Sequence, residues 1–529
     1  MGAAARRNSR LIAFWLGCAT VTAGVVLHLP MFLMSRAMGY CMAGMAMDNG
    51  MVAGMGLIVV GILLTGYGLL PQPTGAAPTA GMRMTPMEDA PLTGAHWRLM
   101  AVLTIALVVD VMKPASLGFV VPGMRTEYAL TKAMVAWLPF TALLGTFVGS
   151  LVWGFLADIY GRRASILLSS VMFVGTSICG AMPSFAWNLG MCFLMGAAAG
   201  GLLPVVYALL AETMPSRHRG WALVMVGGLG AAGGYLAASG LSAVLQPFFG
   251  WRIMWFLNLP TGLLLIALSG LIPESAKFLM HLGRMAEAQA ILTRFGSILA
   301  PATQTWTAPA PTAAQSHPGQ SHLALKTAIL TLVGLTWSAI NFGILLWLPA
   351  DLVSKGYSIG LTSKLLAQSA AIALPTVFVA AFIYSRWSTK GALAAMIGVS
   401  VLGLLGLIAL DLPGIGAGLG PVPAIALLII GSTGMLAVLM PYTSELFPLR
   451  VRGRATGLVA AASKFGGLIA QGLGLLAIVP ALEATEWFVV AALAVCLALV
   501  VAAGEETRGR DLRGLDGVDL PEGALRPAE

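Results

Sequence analysis

The sequence predicts an all-α membrane protein: a twelve-helix bundle in two lobes, preceded by two extra N-terminal transmembrane helices. Of its 529 residues, 58% are hydrophobic and only 10% are charged. Apolar runs recur along the whole chain, and short stretches between them hold most of the charges. Because about 20 apolar residues cross a hydrocarbon core roughly 30 Å thick, spans rather than soluble domains are the units to count.

Fourteen apolar runs are long enough to span a bilayer. They cover residues 11–34, 50–70, 98–121, 133–156, 164–182, 187–211, 220–246, 251–272, 326–350, 365–384, 391–411, 421–444, 454–479 and 485–503. Residues 71–93 are rich in Pro, Gly and Thr, so the first two runs stand apart from the other twelve. A second break divides those twelve into two sets of six. Its first part, 274–295, is amphipathic, and we expect residues 301–319 to be partly disordered.

The predicted organisation follows from these breaks. It comprises an N-terminal helix pair with its linker (1–94), a first lobe (95–272), a cytoplasmic linker (273–325), a second lobe (326–504) and a tail (505–529). Two six-helix sets joined by a loop are typical of transporters built from repeats, which bind substrate near the membrane midplane between the halves.

Charge places the protein in the membrane. The formal charge is +9, but the basic residues are concentrated in alternate loops instead of one solvated block, which argues against a nucleic-acid partner. The positive-inside bias predicts a multi-pass protein of the cell (inner) membrane with both termini cytoplasmic. The first run is too long for a secretory signal and has no small-residue cleavage site, so we expect it to be retained. The five cysteines show no disulfide or zinc spacing.

One charged stretch, Gly154–Arg163, lies between two apolar runs and is here called the clip. It holds Asp158, Arg162 and Arg163 between turn-permitting glycines. Two further strings share the order Glu, two residues, Pro, basic residues and Gly. They are Glu212–Gly220, after the fourth span of the first lobe, and Glu445–Arg454, after the fourth span of the second. Their equivalent positions indicate an internal duplication.

These residues resemble the major facilitator superfamily, and within it the sugar porters and their organic-ion and aromatic-acid relatives. Pro273–Leu279 and Glu506–Arg510 add strings similar to those of sugar porters. The resemblance covers about His96 to Arg510 and implies a major-facilitator bundle. It also implies a charge network that gates its movement, made of Gly154, Asp158, Gly161, Arg162, Arg163, Glu212, Arg217, Arg219, Glu445, Arg450 and Arg452. Two features depart from the family pattern: the loop Tyr384–Gly391 lacks the acidic residue of the clip, and the extra helix pair has no counterpart.

Two ionisable residues fall inside the first core helix, Asp110 and Lys113. Charges in hydrocarbon cost roughly 2.5 to 3.5 kcal/mol each on insertion scales, so they persist mainly when paired or facing a water-filled route. Residues three apart share a helix face, so the two side chains can neutralise one another. We interpret Asp110 as the proton-coupling group and Lys113 as its gate or as a contact for an anionic substrate. The alternative is a structural ion pair.

Other polar or aromatic residues within spans are candidates to line a substrate cavity. They are Tyr207, Tyr235, Asn258, Trp337, Asn341, Trp347 and Gln368, together with Lys464, whose long side chain could instead reach the cytoplasmic face.

The N-terminal pair is rich in methionine, from Met31 to Met55, with His28, Cys41 and Asp48 nearby. Thioethers suit cuprous copper, so a copper-handling transporter is one alternative, although methionine also fills apolar helices. A membrane sensor on the same fold is another.

The leading hypothesis is a secondary transporter of a small polar organic solute, such as a sugar or an organic or aromatic acid, driven by protons and working by alternating access. No catalytic signature or phosphate-binding loop is present, so we predict no enzyme activity and no cofactor. The expected partners are the solute, protons and the lipid bilayer, and we expect a monomer.

Overall fold

The structure is a computed structural model that describes residues 2–71, 82–84, 91–296, 299–301, 320–412, 420–447, 449–476 and 482–508. Within these ranges it contains fourteen helical segments long and apolar enough to cross a membrane, which agrees with the number of apolar runs. The predicted all-α membrane fold is confirmed. Residues 302–319 and 509–529, parts of the predicted linker and tail, lie outside the described residues.

The N-terminal pair consists of two long antiparallel helices and a short connection. Its elements are α1 (Gly2–Val26), α2 (Leu29–Met34), a 3-10 turn (Ser35–Met38) and α3 (Asn49–Leu69). Asp48 begins α3 as its N-cap, accepting a hydrogen bond from the Met51 amide at 2.7 Å.

The first lobe is built from six spans. They are α4 (Gly94–Glu127), α5 (Lys132–Tyr160), α6 (Arg162–Gly175) continued by a 3-10 segment (Thr176–Ala181), α7 (Phe185–Ala199) with α8 (Leu202–Thr213), α9 (Ser216–Phe249), and α10 (Ile253–Phe256) with α11 (Asn258–Leu268) and a final 3-10 turn (Ser269–Leu271). The amphipathic part of the linker forms two short helices, α12 (Ala276–His281) and α13 (Met285–Arg294).

The second lobe repeats the arrangement. It comprises α14 (Gln320–Ser338), a π-helical segment (Ala339–Leu345) and α15 (Leu348–Ser354), then α16 (Ile359–Phe382) with a π turn (Ile383–Trp387), α17 (Thr389–Asp411), α18 (Pro421–Leu446), α19 (Leu449–Leu475) and α20 (Leu482–Ala503). The described chain also contains two three-residue strands. β1 (Met82–Met84) pairs antiparallel with β2 (Leu299–Pro301), with Arg83 opposite Ala300.

A buried ion pair of the first lobe, which the sequence did not reveal, also binds the loop of the N-terminal pair. Glu127, at the end of α4, bonds Arg252 at 2.6 Å, and the Arg252 side chain is fully buried. The same carboxylate accepts the backbone amides of Met42 and Ala43, in the loop between α2 and α3, at 2.7 and 3.0 Å. The loop therefore satisfies an acceptor that would be costly to leave unpaired in the interior.

The methionines of the N-terminal pair serve mainly as packing. Met31, Met42 and Met51 are buried in an apolar cluster between the pair and the first lobe, whereas Met34 and Met38 are 66% and 54% exposed. Their placement does not favour the copper hypothesis.

The two lobes approach closely at glycine positions. A Cβ at Gly118 of α4 would lie 2.5 Å from the Leu346 carbonyl oxygen, and one at Gly467 of α19 would lie 3.1 Å from Leu143 of α5. Gly154 lies three turns beyond Leu143 on the same face of α5, and no described residue lies within 4 Å of a Cβ placed there. The end of the membrane at which the clip lies is here called the clip end.

Glycines set the closest helix approach within the first lobe. A Cβ at Gly196 of α7 would overlap the Ala142 carbonyl oxygen of α5, and one at Gly145 of α5 would overlap Phe193 of α7. Gly190, on the same α7, has nothing within 4 Å of its Cβ position. Small residues at such crossings let backbones touch in membrane proteins.

We expect Gly196→Val to destabilise the protein by about 1 to 3 kcal/mol, because the added methyl groups force α5 and α7 apart. Gly190→Val is the matched control and should unfold within about 1 °C of the parent. Thermal unfolding of the purified protein in detergent measures both, and equal melting temperatures for the two variants would contradict this packing.

Candidate functional site

The candidate site is centred on α4, where Asp110 and Lys113 are only 6% and 1% exposed. The Asp110 Oδ1 and Lys113 Nζ atoms are buried and have no hydrogen-bond partner among the described residues. Two buried groups without direct partners on one helix are unusual, because such groups are normally satisfied.

The expected ion pair between Asp110 and Lys113 is not formed in the described part of the chain: no contact within 4 Å joins their charged atoms. The Lys113 ammonium instead lies 3.1 Å from the centroid of the Phe173 ring on α6. Residues three apart differ by about 60° around a helix, which lets Lys113 turn toward α6. A cation–π contact replaces the salt bridge.

Lys464 brings the second lobe into the site. Of the two lysines whose charges act on Asp110, Lys464 of α19 has the larger effect and Lys113 the smaller. Lys464 is partly exposed, unlike the two α4 residues. Among the described residues no ion pair within 4 Å joins Asp110 and Lys464, so these residues of different lobes, 354 positions apart in sequence, interact electrostatically over a longer distance.

Of the proposed cavity residues, Tyr235 contacts the other lobe, whereas the described contacts of Tyr207, Trp337 and Asn341 lie within their own lobes. Tyr235 of α9 donates to the Leu345 carbonyl of the second lobe at 3.5 Å, and the buried Tyr207 hydroxyl has no partner in the described chain. Trp337 and Asn341 both bond Ser432 of α18, the first through its backbone oxygen at 2.9 Å and the second through its hydroxyl at 2.5 Å.

Two of the proposed cavity residues are placed elsewhere. Asn258 is 2% exposed and lies within the first lobe, where it donates to Thr176 at 3.5 Å. Gln368 is exposed on the face of α16 that also presents Leu361 and Ile372, 45% and 49% exposed. Both residues are corrections to the sequence prediction, because a polar residue inside a span can satisfy a neighbouring helix or lie on an outer face.

The structure adds Gln471 of α19, which the sequence did not single out. Gln471 is 1% exposed, donates to the Phe342 carbonyl and accepts from the Trp347 indole at 3.2 Å. Phe342 belongs to the π-helical segment, where i→i+5 bonding leaves backbone groups to be satisfied by other partners. Gln471 thus fixes this segment beside the site.

At the clip end, Glu274 organises the turn between α5 and α6. Its Oε1 accepts the amides of Arg162, Arg163 and Ser275 at 2.7, 3.3 and 2.9 Å, which caps the start of α6. Gly161 has φ +94°, and a Cβ there would lie 2.5 Å from Glu274 Oε2, so only glycine fits. Burial raises the pKa of Glu274 above its ordinary value, and the three amide bonds oppose this shift.

The predicted charge network is partly assembled at the same place. Arg162 bonds Asp158 at 3.4 Å and Glu212 at 3.5 Å. Arg217 is exposed. The Arg219 charge acts on Glu445 across the lobe interface, where a Cβ at Gly220 would lie 2.7 Å from the Glu445 carboxylate. The side chains of Arg450 and Arg452 lie outside the described residues.

The second lobe reproduces this arrangement with different residues. Glu506, just after α20, accepts the Thr389 amide at 2.9 Å and the Ser388 hydroxyl, capping α17 as Glu274 caps α6. Glu445 accepts from Tyr384 at 2.7 Å and Thr507 at 3.0 Å. Tyr384 thus supplies a polar partner in the loop that lacks the acidic residue of the clip.

The sequence and fold of this chain are similar to those of known proteins. A family model described as Major Facilitator Superfamily matches residues 99–471. The chain is 26% identical to the niacin transporter NiaP of Acinetobacter baylyi over 81% of this chain and 98% of the relative. It is 28% identical to the 4-hydroxybenzoate transporter PcaK of Pseudomonas aeruginosa, over 73% and 86%.

Among solved structures, the chain is similar to a partially occluded inward open conformation of the xylose transporter XylE from E. coli. The TM-score is 0.62 at 16% identity, and the match covers 79% of this chain and all of the other.

We expect Glu506→Gln to destabilise the protein at neutral pH by about 1 kcal/mol, after allowance for its exposure to solvent. Burial acts to raise the Glu506 pKa, but hydrogen bonds from Ser388, Thr389 and Arg508 lower it to about 2. Because the folded pKa lies below the ordinary value of 4.5, the contribution is full above pH 4.5 and is lost as pH falls toward 2.

Unfolding of parent and variant between pH 7 and pH 3 checks this expectation, and the difference should shrink on acidification. Glu287→Gln, which removes an exposed ion pair with Arg284, is the control and should leave stability unchanged. A difference between parent and Glu506→Gln that grows toward pH 3 would refute the assigned role of the cap.

Proposed function

The chain belongs to the major facilitator superfamily, and from this premise we propose that it carries a small aromatic carboxylate across the inner membrane together with a proton. That it is a membrane transporter of small organic solutes, and not an enzyme, follows from its relatives and its fold. What we propose is the substrate class, the coupling to protons and the roles of individual residues.

The proposed substrate class is supported by the named relatives. Niacin and 4-hydroxybenzoate, the substrates named for relatives aligned over most of their lengths, each carry a carboxylate on a six-membered aromatic ring. The resemblance to a xylose transporter, at 16 to 17% identity, extends to the fold alone. An aromatic acid is therefore favoured over a sugar.

The proposal rests on three charged groups inside the spans: Asp110 and Lys113, whose buried Oδ1 and Nζ atoms lack hydrogen-bond partners among the described residues, and Lys464, whose charge acts on Asp110 from the other lobe. A lysine inside a membrane span is costly unless a negative charge compensates it, and Asp110 would supply that charge in the absence of substrate. When Asp110 takes up a proton, Lys464 loses that compensating charge, and the carboxylate of a substrate can replace it. Proton and anion then enter the site together, which is symport.

The remaining site residues have proposed roles around this exchange. Lys113, held over Phe173, adds a second positive charge that acts on Asp110. Tyr207 and Tyr235 from the first lobe, and Trp337 and Asn341 from the second, would surround the ring of the substrate. Aromatic walls with few polar groups are typical of small-molecule sites.

Alternating access would come from movement of residues 95–272 against residues 326–504, joined by residues 273–325. We take the clip end as the cytoplasmic side, as the positive-inside bias predicts, and no described residue covers the Gly154 face of α5 there. The clip contacts of Arg162 with Asp158 and Glu212, and the approach of Gly220 to Glu445, would bias the equilibrium between the two states.

We expect Asp110→Asn to abolish accumulation of nicotinate driven by a pH gradient in liposomes, lowering it at least 10-fold, because the amide cannot take up the coupling proton. Exchange of internal for external nicotinate without a gradient should continue. The control is Asp351→Asn, which removes a carboxylate from an ion pair with Lys355 in the second lobe. Gradient-driven accumulation that is unchanged in Asp110→Asn would reject the coupling role.

Lys464→Gln should weaken nicotinate binding about 30-fold, which corresponds to loss of roughly 2 kcal/mol from a desolvated charge pair. Binding of nicotinamide, which has no carboxylate, should change less than 3-fold. Lys355→Gln is the charge-matched control, with expected parental affinity for both compounds. Isothermal titration of the purified protein measures these affinities, and an equal loss for the acid and the amide would show that Lys464 does not recognise the carboxylate.

A further inference from the structure

An apolar groove runs between the N-terminal pair and the first lobe, away from the proposed transport site. Its cavity volume is about 310 Å³. The walls include Ile62, Gly66 and Tyr67 of α3 and Val152, Leu156 and Tyr160 of α5. The groove lies within the spanning segments of both helices, so its surroundings are hydrocarbon rather than water.

The length of the groove matches one leaflet of a bilayer. Its lining on α5 extends from Val148 to Tyr160, which is roughly 18 Å at about 1.5 Å per residue. One leaflet contributes about half of a hydrocarbon core roughly 30 Å thick. The side chains of Val152 and Tyr67 are 48% and 53% exposed, so the groove is open along its side. A single acyl chain fits these dimensions.

One end of the groove carries polar groups, and Arg10, which bonds the carbonyls of Leu70 and Pro71, lies beside that end without lining it. Tyr67 and Tyr160 mark this end, and neither hydroxyl makes a hydrogen bond within the described residues. Arg10 lies with its guanidinium carbon 5.8 Å from the centroid of the Tyr67 ring and donates to the Leu70 carbonyl at 2.5 Å. Arg6 and Arg7 lie one turn earlier on α1. Arginines at the end of a membrane helix attract anionic lipid head groups.

We propose that this groove is a binding site for one anionic phospholipid, with an acyl chain between α3 and α5 and the phosphate near Arg10. The two tyrosine hydroxyls donate to the head group, and Arg10 offers the charge. The lipid joins the extra helix pair to α5, the helix that carries the clip. This role does not depend on which solute is transported.

Native mass spectrometry of the full-length protein tests the site, using phosphatidylglycerol and phosphatidylcholine with identical acyl chains. We expect one phosphatidylglycerol to remain bound with at least 10-fold higher affinity than phosphatidylcholine. Gly66→Leu fills the groove, and a Cβ at Gly66 meets nothing within 4 Å, so the variant should fold. Its affinity for phosphatidylglycerol should be at least 10-fold lower than that of the parent.

Gly56→Leu is the matched control, because Gly56 lies on the same helix, is equally open and does not line the groove. It should retain the lipid. Val152→Trp fills the groove from the α5 side and provides a second variant. Arg10→Gln should reduce the preference for phosphatidylglycerol while acyl-chain binding persists.

Three results would overturn the proposal: parental lipid affinity in both groove-filling variants, equal affinity of the parent for the two lipids, or a second protein copy in place of the lipid adduct.

Discussion

A buried carboxylate and a lysine of the other lobe, whose charge acts on it without an ion pair within 4 Å, link the two lobes electrostatically inside the membrane spans. Asp110 is almost fully buried and has no direct hydrogen-bond partner for Oδ1 among the described residues. Lys464 exerts the larger of the two lysine effects on it, and the two residues belong to different lobes. Any change in the charge of one therefore alters the free energy of bringing the lobes together there.

At the clip end, a second set of carboxylates fixes the starts of helices. Glu274 and Glu506 occupy equivalent places, each following the last span of its lobe and capping the third. Each carboxylate accepts backbone amides that would otherwise lack partners at a helix start. The two caps therefore fix the start of the third span in each lobe at this end.

Much of this architecture could be predicted from the sequence, because membrane spans and duplicated loops leave local signals. Fourteen apolar runs predicted fourteen spans, and the two strings beginning at Glu212 and Glu445 indicated the repeat. Contacts between distant elements could not be predicted in this way. The Glu127–Arg252 pair joins the ends of different spans, and the effect of Lys464 on Asp110 depends on how the two lobes meet. Gln368 was wrongly placed because polarity within a span does not reveal which way a helix face points.

If Asp110 couples transport to protons, substrate binding must be accompanied by proton uptake. The purified protein would be titrated with nicotinate at neutral pH in two buffers of different ionisation enthalpy, and the difference in heat gives the number of protons bound. We expect the parent to take up close to one proton for each nicotinate bound, and Asp110→Asn to take up none. Binding without proton uptake in the parent, or with the same uptake in the variant, would contradict this expectation.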